Sequence, residues 1–128
     1  MTDKKLSDFL PSNNYSYFNK NEKYEFPSIV SKEQIIIELK KVMDPEIPVN
    51  LYDLGLIYTI NIDSISNVEI EMTLTNPNCP VAGTMPESVG KSVETINSLA
   101  SIKVSLVWDP KWNKDMMSED AKLALDIF

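Results

Sequence analysis

The sequence predicts an α/β (α+β) two-layer sandwich in the order α-β-β-α-β-α, built on a three-stranded mixed sheet. Three observations carry this prediction. Apolar and polar residues alternate in three segments, the mark of strands with one buried and one solvated face. Other segments open on helix-capping patterns and continue with apolar residues at helical spacing. Every predicted strand keeps a polar face, so helices cover only one side of the sheet.

The first helix starts at Ser31, where Ser31-Lys32-Glu33-Gln34 matches the S-x-x-Q capping box. Ile35, Ile36, Leu39, Val42 and Met43 follow at helical spacing. Asp44-Pro45 ends the helix, because the residue before proline avoids the α region. The helix is therefore expected over residues 32–43. In residues 56–63, Leu56, Tyr58, Ile60 and Ile62 alternate with Thr59, Asn61 and Asp63; in residues 68–75, Val68, Ile70, Met72 and Leu74 alternate with Glu69, Glu71, Thr73 and Thr75. The polar loop between them predicts an antiparallel hairpin. Thr84-Met85-Pro86-Glu87 reads as a second capping box, with Met85, Val89, Val93, Ile96 and Ala100 as its buried stripe. A third strand, residues 102–108, turns Ile102, Val104, Leu106 and Trp108 inward. Ser118 caps a last helix, with Glu119 and Asp120 in its first turn and Leu123, Leu125, Ile127 and Phe128 as its apolar residues.

Residues 1–30 differ. They are rich in Asn, Ser, Lys and Tyr, show no helix or strand period, and are expected to be an extended or mobile arm. Their aromatics, Phe9, Tyr15, Tyr17, Phe18, Tyr24 and Phe26, suit docking on the domain or on a partner. Residues 31–128 form one domain.

Composition narrows the chemistry. The chain has 128 residues, one Cys and no His, and 12 Lys+Arg against 19 Asp+Glu leave a formal charge of −7. Without His there is no Ser-His or Cys-His nucleophile. One Cys cannot form an intramolecular disulfide, nor a structural zinc site with its set of about four ligands. The acidic balance argues against nucleic acid. The first twenty residues contain no export or membrane-spanning segment, so a soluble cytoplasmic protein is expected, where a thiol stays free.

Connectivity brings four loops to one sheet edge. The start of the first strand lies beside the end of the second, and the third strand returns parallel to the second. Asp44, Glu46, Asp53, Cys79, Asp109, Trp108 and Trp112 therefore meet where ligands favour the carboxyl ends of strands. Cys79 precedes a helix, whose N–H groups favour a thiolate, a ligand for soft metals and iron–sulfur clusters. It also fits a small buried hydrophobe. Asp44-Pro45-Glu46 fits a helix stop as well as a pair of carboxylates that bind a metal or a partner. Asp53 and Gly55 suit a turn, and the two Trp suit core and rim.

These loops resemble the SufT-like iron–sulfur cluster assembly family, which includes the cytosolic iron–sulfur targeting component of eukaryotes and the PaaD subunit of phenylacetate degradation. The resemblance starts in Asp44-Pro45-Glu46-Ile47-Pro48-Val49-Asn50-Leu51-Tyr52-Asp53-Leu54-Gly55-Leu56-Ile57-Tyr58. It continues through Met72-Thr73-Leu74-Thr75, Cys79-Pro80, Val107-Trp108-Asp109-Pro110, Trp112 and Met116-Met117-Ser118 to Phe128. It implies the iron–sulfur assembly domain fold and a maturation factor, a transient cluster carrier or a targeting adaptor, rather than a turnover enzyme. It implies Cys79 as the functional thiol, Asp44, Glu46 and Asp53 as the acidic loop, and Thr75, Pro80, Trp108 and Asp109 in support. The implied partners are the assembly machinery and client apo-proteins.

One Cys and no His cannot complete a cluster's ligand set. A second subunit, as in a homodimer, a small thiol or a client must supply the rest, so a cluster on Cys79 is expected to be shared and temporary, with no permanent metal. An accessory subunit of a PaaD-type ring-oxygenase complex is the alternative. The family's C-terminal cysteine extension in PaaD-like proteins has no counterpart here, which weighs against it. The loop also departs from the family in reading Asn76-Pro77-Asn78 before Cys79, where a smaller residue is expected.

Overall fold

The computed structural model describes residues 16–44, 47–75 and 84–126. Ser31 begins α1 (Lys32–Leu39) with the full capping box: its hydroxyl accepts from the Gln34 N–H, and the Gln34 side chain accepts from the Ser31 N–H. The helix ends at Leu39, a turn earlier than the apolar spacing suggests. Val42 and Met43 are drawn off it, because the Val42 carbonyl accepts from Leu51 N–H at 2.9 Å and Met43 bridges Asn50.

Among the described residues the sheet contains four strands rather than three, in the order β1-β4-β3-β2. They are β1 (Ser16–Lys20), β2 (Ile57–Ile62), β3 (Asn67–Met72) and β4 (Ser101–Leu106). β2 and β3 form the expected antiparallel hairpin, β3 and β4 run parallel, and β1 adds antiparallel to the free edge of β4. The added strand, β1, lies at the edge and half-buries only one residue, Tyr17. The rest of β1 is exposed, so no apolar alternation announces it.

Between β3 and β4 runs α2 (Met85–Val93), and after β4 come a 3₁₀ turn (Lys114–Met116) and α3 (Glu119–Asp126). α2 packs on β4, β1 and α1, and Ser92 Oγ donates to the Glu38 carbonyl at 2.8 Å. Thr84 does not form the expected capping box. Its backbone is in the α region rather than extended, so its hydroxyl makes no cap bond, and Glu87 pairs instead with Lys91 at 2.8 Å. Ile96 and Ala100 fall beyond the helix end. Ser118 does cap α3, accepting from Ala121 N–H at 3.1 Å. Ala121 is buried, while Leu123, one of the helix's apolar residues, is 62% exposed. Ile127 and Phe128 lie outside the described residues.

Ile35, Leu39, Leu51, Leu54, Leu56, Ile70, Met72, Val89, Val93 and Ile102 form the fully buried centre between the helices and one sheet face. Each contributes about 1.5–3 kcal/mol relative to exposure. The opposite face carries Glu69 and Lys103, 3.8 Å apart and half exposed, a weak pair. The two-layer architecture with one solvated sheet face is thus as expected.

β2 departs from strict alternation. Ile57 pairs with Met72 and Thr59 with Glu71, so Tyr58 is the extra residue of a bulge. Ile57 packs on the core in the place that alternation assigned to Tyr58. At the hairpin, Ser66 is fully buried with φ +66°, and its hydroxyl both donates to Ser28 O at 3.0 Å and accepts from Val30 N–H at 2.9 Å. Those bonds hold the approach to α1 against the sheet.

Candidate loop cluster at the carboxyl ends of β3 and β4

The carboxyl ends of β3 and β4 lie side by side, with Val107 N–H donating to Met72 O at 2.8 Å. Thr73 N–H donates to Leu56 O at 2.8 Å, which brings the entrance of β2 to the same edge. Three segments therefore meet there: the loop before β2, the exit of β3 ending at the half-buried Thr75, and the chain after β4.

The loop before β2 is stiffened by its own polar groups. Asp44 Oδ1 accepts from Ile47 N–H at 2.9 Å. Asn50 and Asp53 bond reciprocally: Asp53 N–H donates to Asn50 Oδ1 at 2.9 Å, and Asn50 Nδ2 donates to Asp53 Oδ2 at 2.8 Å. Both carboxylates thus shape turns, as Asp does where it can bond backbone N–H groups nearby in sequence. Gly55 sits at φ +81°, and a Cβ there would overlap the Met116 carbonyl.

The chain after β4 is clamped onto that loop. Trp112 Nε1 donates to Leu54 O at 2.7 Å, and Ser118 N–H donates to Asp53 O at 2.8 Å. The bulge aims Tyr58 at Pro110 O, to which its hydroxyl donates at 2.7 Å, with Met116 Sδ at 3.6 Å. Burial, and then the Asp109 charge, hold the Tyr58 phenol above its ordinary value of 10.0, so it remains a neutral donor. Asp109 is exposed, and Trp108 is half-buried against the core.

Thr75, Trp108 and Asp109 therefore follow the ends of β3 and β4 at one sheet edge, and Asp44 and Asp53 lie in the loop that leads into β2 beside β3. Cys79, Pro80 and Glu46 lie outside the described residues. Thr75 and Thr84 are the described positions that bracket the segment containing Cys79 and Pro80. Among the described residues, no three His, Cys, Asp or Glu side chains come together as a metal site, and no helix is long and apolar enough to cross a membrane.

The model of the iron–sulfur cluster assembly protein family matches residues 32–106, more than half of the chain. The chain belongs to that family. An Fe-S protein maturation auxiliary factor of Porphyromonas gingivalis is 48% identical over 95 residues, covering 74% of this chain and 90% of that protein. The Fe-S protein maturation auxiliary factor SufT of Staphylococcus aureus is 37% identical over 86 residues, covering 67% of this chain and 98% of its own. A crystal structure from Bacillus anthracis, described as a domain of unknown function, DUF59, superposes with a TM-score of 0.72 at 38% identity, covering 76% of this chain and 92% of that one. The SufT-like resemblance read from the loops agrees with these matches.

Sequence reading missed Asn50, Tyr58 and Met116. Asn50 was findable, since Asn and Asp three residues apart are a turn pattern. Tyr58 was not, because its bulge depends on Pro110 and Met116, more than fifty positions away. Met116 was not either, because its carbonyl meets Gly55 and its Sδ meets Tyr58, both far away in the chain.

Proposed function

We propose that this protein is a cytoplasmic iron–sulfur maturation factor, not a turnover enzyme, whose cargo is a cluster held briefly on the Cys79 thiolate and passed to client apo-proteins. The observation that carries the reading is the convergence of the β3 and β4 ends with a rigid acidic loop, in a chain of the iron–sulfur cluster assembly family. Segments leaving the carboxyl ends of adjacent parallel strands open at one edge, where ligands favour binding. The Cys79 segment leaves from Thr75 at that edge. The relatives named maturation auxiliary factors support a delivery role.

A single thiolate holds an iron atom weakly by comparison with a full four-ligand set. The remaining ligands come from the donor machinery, a second copy or the client, and a ligand set divided in this way favours transfer over storage. In this reading Asp44, Glu46 and Asp53 are the acidic residues that partners recognise, and the turns that Asp44 and Asp53 bond are ordered in advance. Thr75, Pro80, Trp108 and Asp109 are assigned the supporting role around the thiol. Rigidity of those turns matters because a recognition surface ordered in advance loses less entropy on docking.

The test is the activity of an iron–sulfur client enzyme in cells lacking this chain. Wild type and Lys103→Gln, on the opposite sheet face, restore it, and Cys79→Ser does not. Full restoration by Cys79→Ser, with loss in Asp44→Ala/Glu46→Ala, would replace the carrier with an adaptor that uses only the acidic loop.

A further inference from the structure

β1 lies outside the family-matched residues 32–106, while the edge it covers lies inside them. Of its five residues only Tyr17 is even half-buried. The Tyr17 ring lies on Gly90, the one position of α2 without a side chain, and a Cβ at Gly90 would overlap that ring. The Tyr17 hydroxyl donates to Glu94 Oε1 at 2.6 Å, and Asn19 Nδ2 donates to the same oxygen at 3.0 Å. Glu94 thus accepts from two residues of β1 at the helix end. The Tyr17 phenol is pushed up to about 12, chiefly by its bond to Glu94.

At its other end the strand is pinned. Asn21 N–H donates to Ala100 O at 2.9 Å, and Asn21 Nδ2 donates to Leu99 O at 2.7 Å and Asn97 O at 3.2 Å. β1 is therefore anchored at Asn21 and latched at Tyr17, with an edge ladder between. A strand that buries so little side chain opens locally far more easily than the core strands beside it. Opening would expose the β4 edge, the Gly90 notch and the Glu94 carboxylate together.

We propose that the β4 edge, the Gly90 notch and Glu94 form a strand-addition site for an extended partner segment with tyrosine facing the notch and an amide side chain two residues later, which the chain's own β1 occupies at rest. Main-chain pairing supplies affinity at such an edge, and a pocket for one side chain supplies specificity. The seated β1 shows what the site accepts: a Tyr-x-Asn segment, antiparallel to β4, in the register Tyr17↔Val104. A tethered strand competes at the high effective concentration of an intramolecular ligand, so a partner binds only when β1 is displaced. The site is independent of Cys79, and its failure would leave the cluster-handling role untouched.

The test uses the full chain and a fluorescein-labelled peptide of residues 16–22. Tyr17→Ala, with its own latch weakened, binds the peptide about tenfold tighter than wild type does. Adding Gly90→Val, or Glu94→Ala if the valine variant does not fold, abolishes that gain. Hydrogen exchange at residues 16–20 rises about a hundredfold in Tyr17→Ala, while β2 and β3 remain protected. Equal peptide binding by wild type and Tyr17→Ala, or undiminished binding by the Gly90→Val or Glu94→Ala double variant, would overturn the proposal.

Discussion

Replacing Gly55 by alanine should uncouple the loop before β2 from the chain after β4. Gly55 has φ +81°, and a non-glycine residue in the left-handed region costs about 1–2 kcal/mol. The added Cβ also meets the Met116 carbonyl, a backbone atom that cannot rotate away. The 3₁₀ turn must then shift outward, and the bonds from Trp112 Nε1 to Leu54 O and from Ser118 N–H to Asp53 O lengthen or break. At about 1 kcal/mol each, their loss brings the total to about 3–4 kcal/mol. That is a large share of the 5–15 kcal/mol, roughly, that holds such domains folded. Urea unfolding followed by tryptophan fluorescence reads it directly: with a slope of about 2 kcal/mol per molar, the midpoint falls by about 1.5–2 M. Trp112 emission in the native variant should also shift to the red as its indole meets water. A midpoint within about 0.5 M of wild type, with unchanged emission, would show that the clamp does not depend on Gly55.

Other predictions follow from single contacts. Ser66→Ala leaves the Val30 N–H buried without its acceptor, and should destabilise by about 1–3 kcal/mol in thermal or urea unfolding. Ser66→Gly relieves the positive φ but loses the same hydroxyl, so it should also be less stable than wild type. Tyr17 keeps its proton in the folded state to about 12, against an ordinary 10.0. In the unfolded chain it ionises first, so its contribution is complete below pH 10 and is lost as pH rises toward 12. Wild-type stability should therefore fall more steeply than that of Tyr17→Phe over that range in pH-jump unfolding.

The parts of this fold that were legible in the sequence are those set by neighbours in the chain. The Ser31–Gln34 capping box closes within one turn, so spacing alone located it. Val68, Ile70 and Met72, and Ile102, Val104 and Leu106, each present a buried face against a polar one, and their alternation marked β3 and β4. β1 was not legible, because its outer residues meet solvent and its single packed residue depends on Gly90, far along the chain. The early end of α1 reflects the pairing of Val42 and Met43 with Leu51 and Asn50, a tertiary pull that helical periodicity does not register. At the loop cluster, strand connectivity was enough to bring the entrance of β2 and the ends of β3 and β4 to one edge. What it did not reveal is that the carboxylates of Asp44 and Asp53 are engaged in shaping their own loop.

The proposed carrier role requires a cluster on this protein to be held by one thiolate of its own and completed from outside. Its most direct test is the iron and acid-labile sulfide content of the full chain after anaerobic reconstitution with a small thiol, gel filtration, and incubation with a client apo-protein. A substoichiometric cluster is expected on wild type that moves to the client, and none on Cys79→Ser. A cluster that stays on the wild-type chain, or equal iron and sulfide on Cys79→Ser, would contradict it.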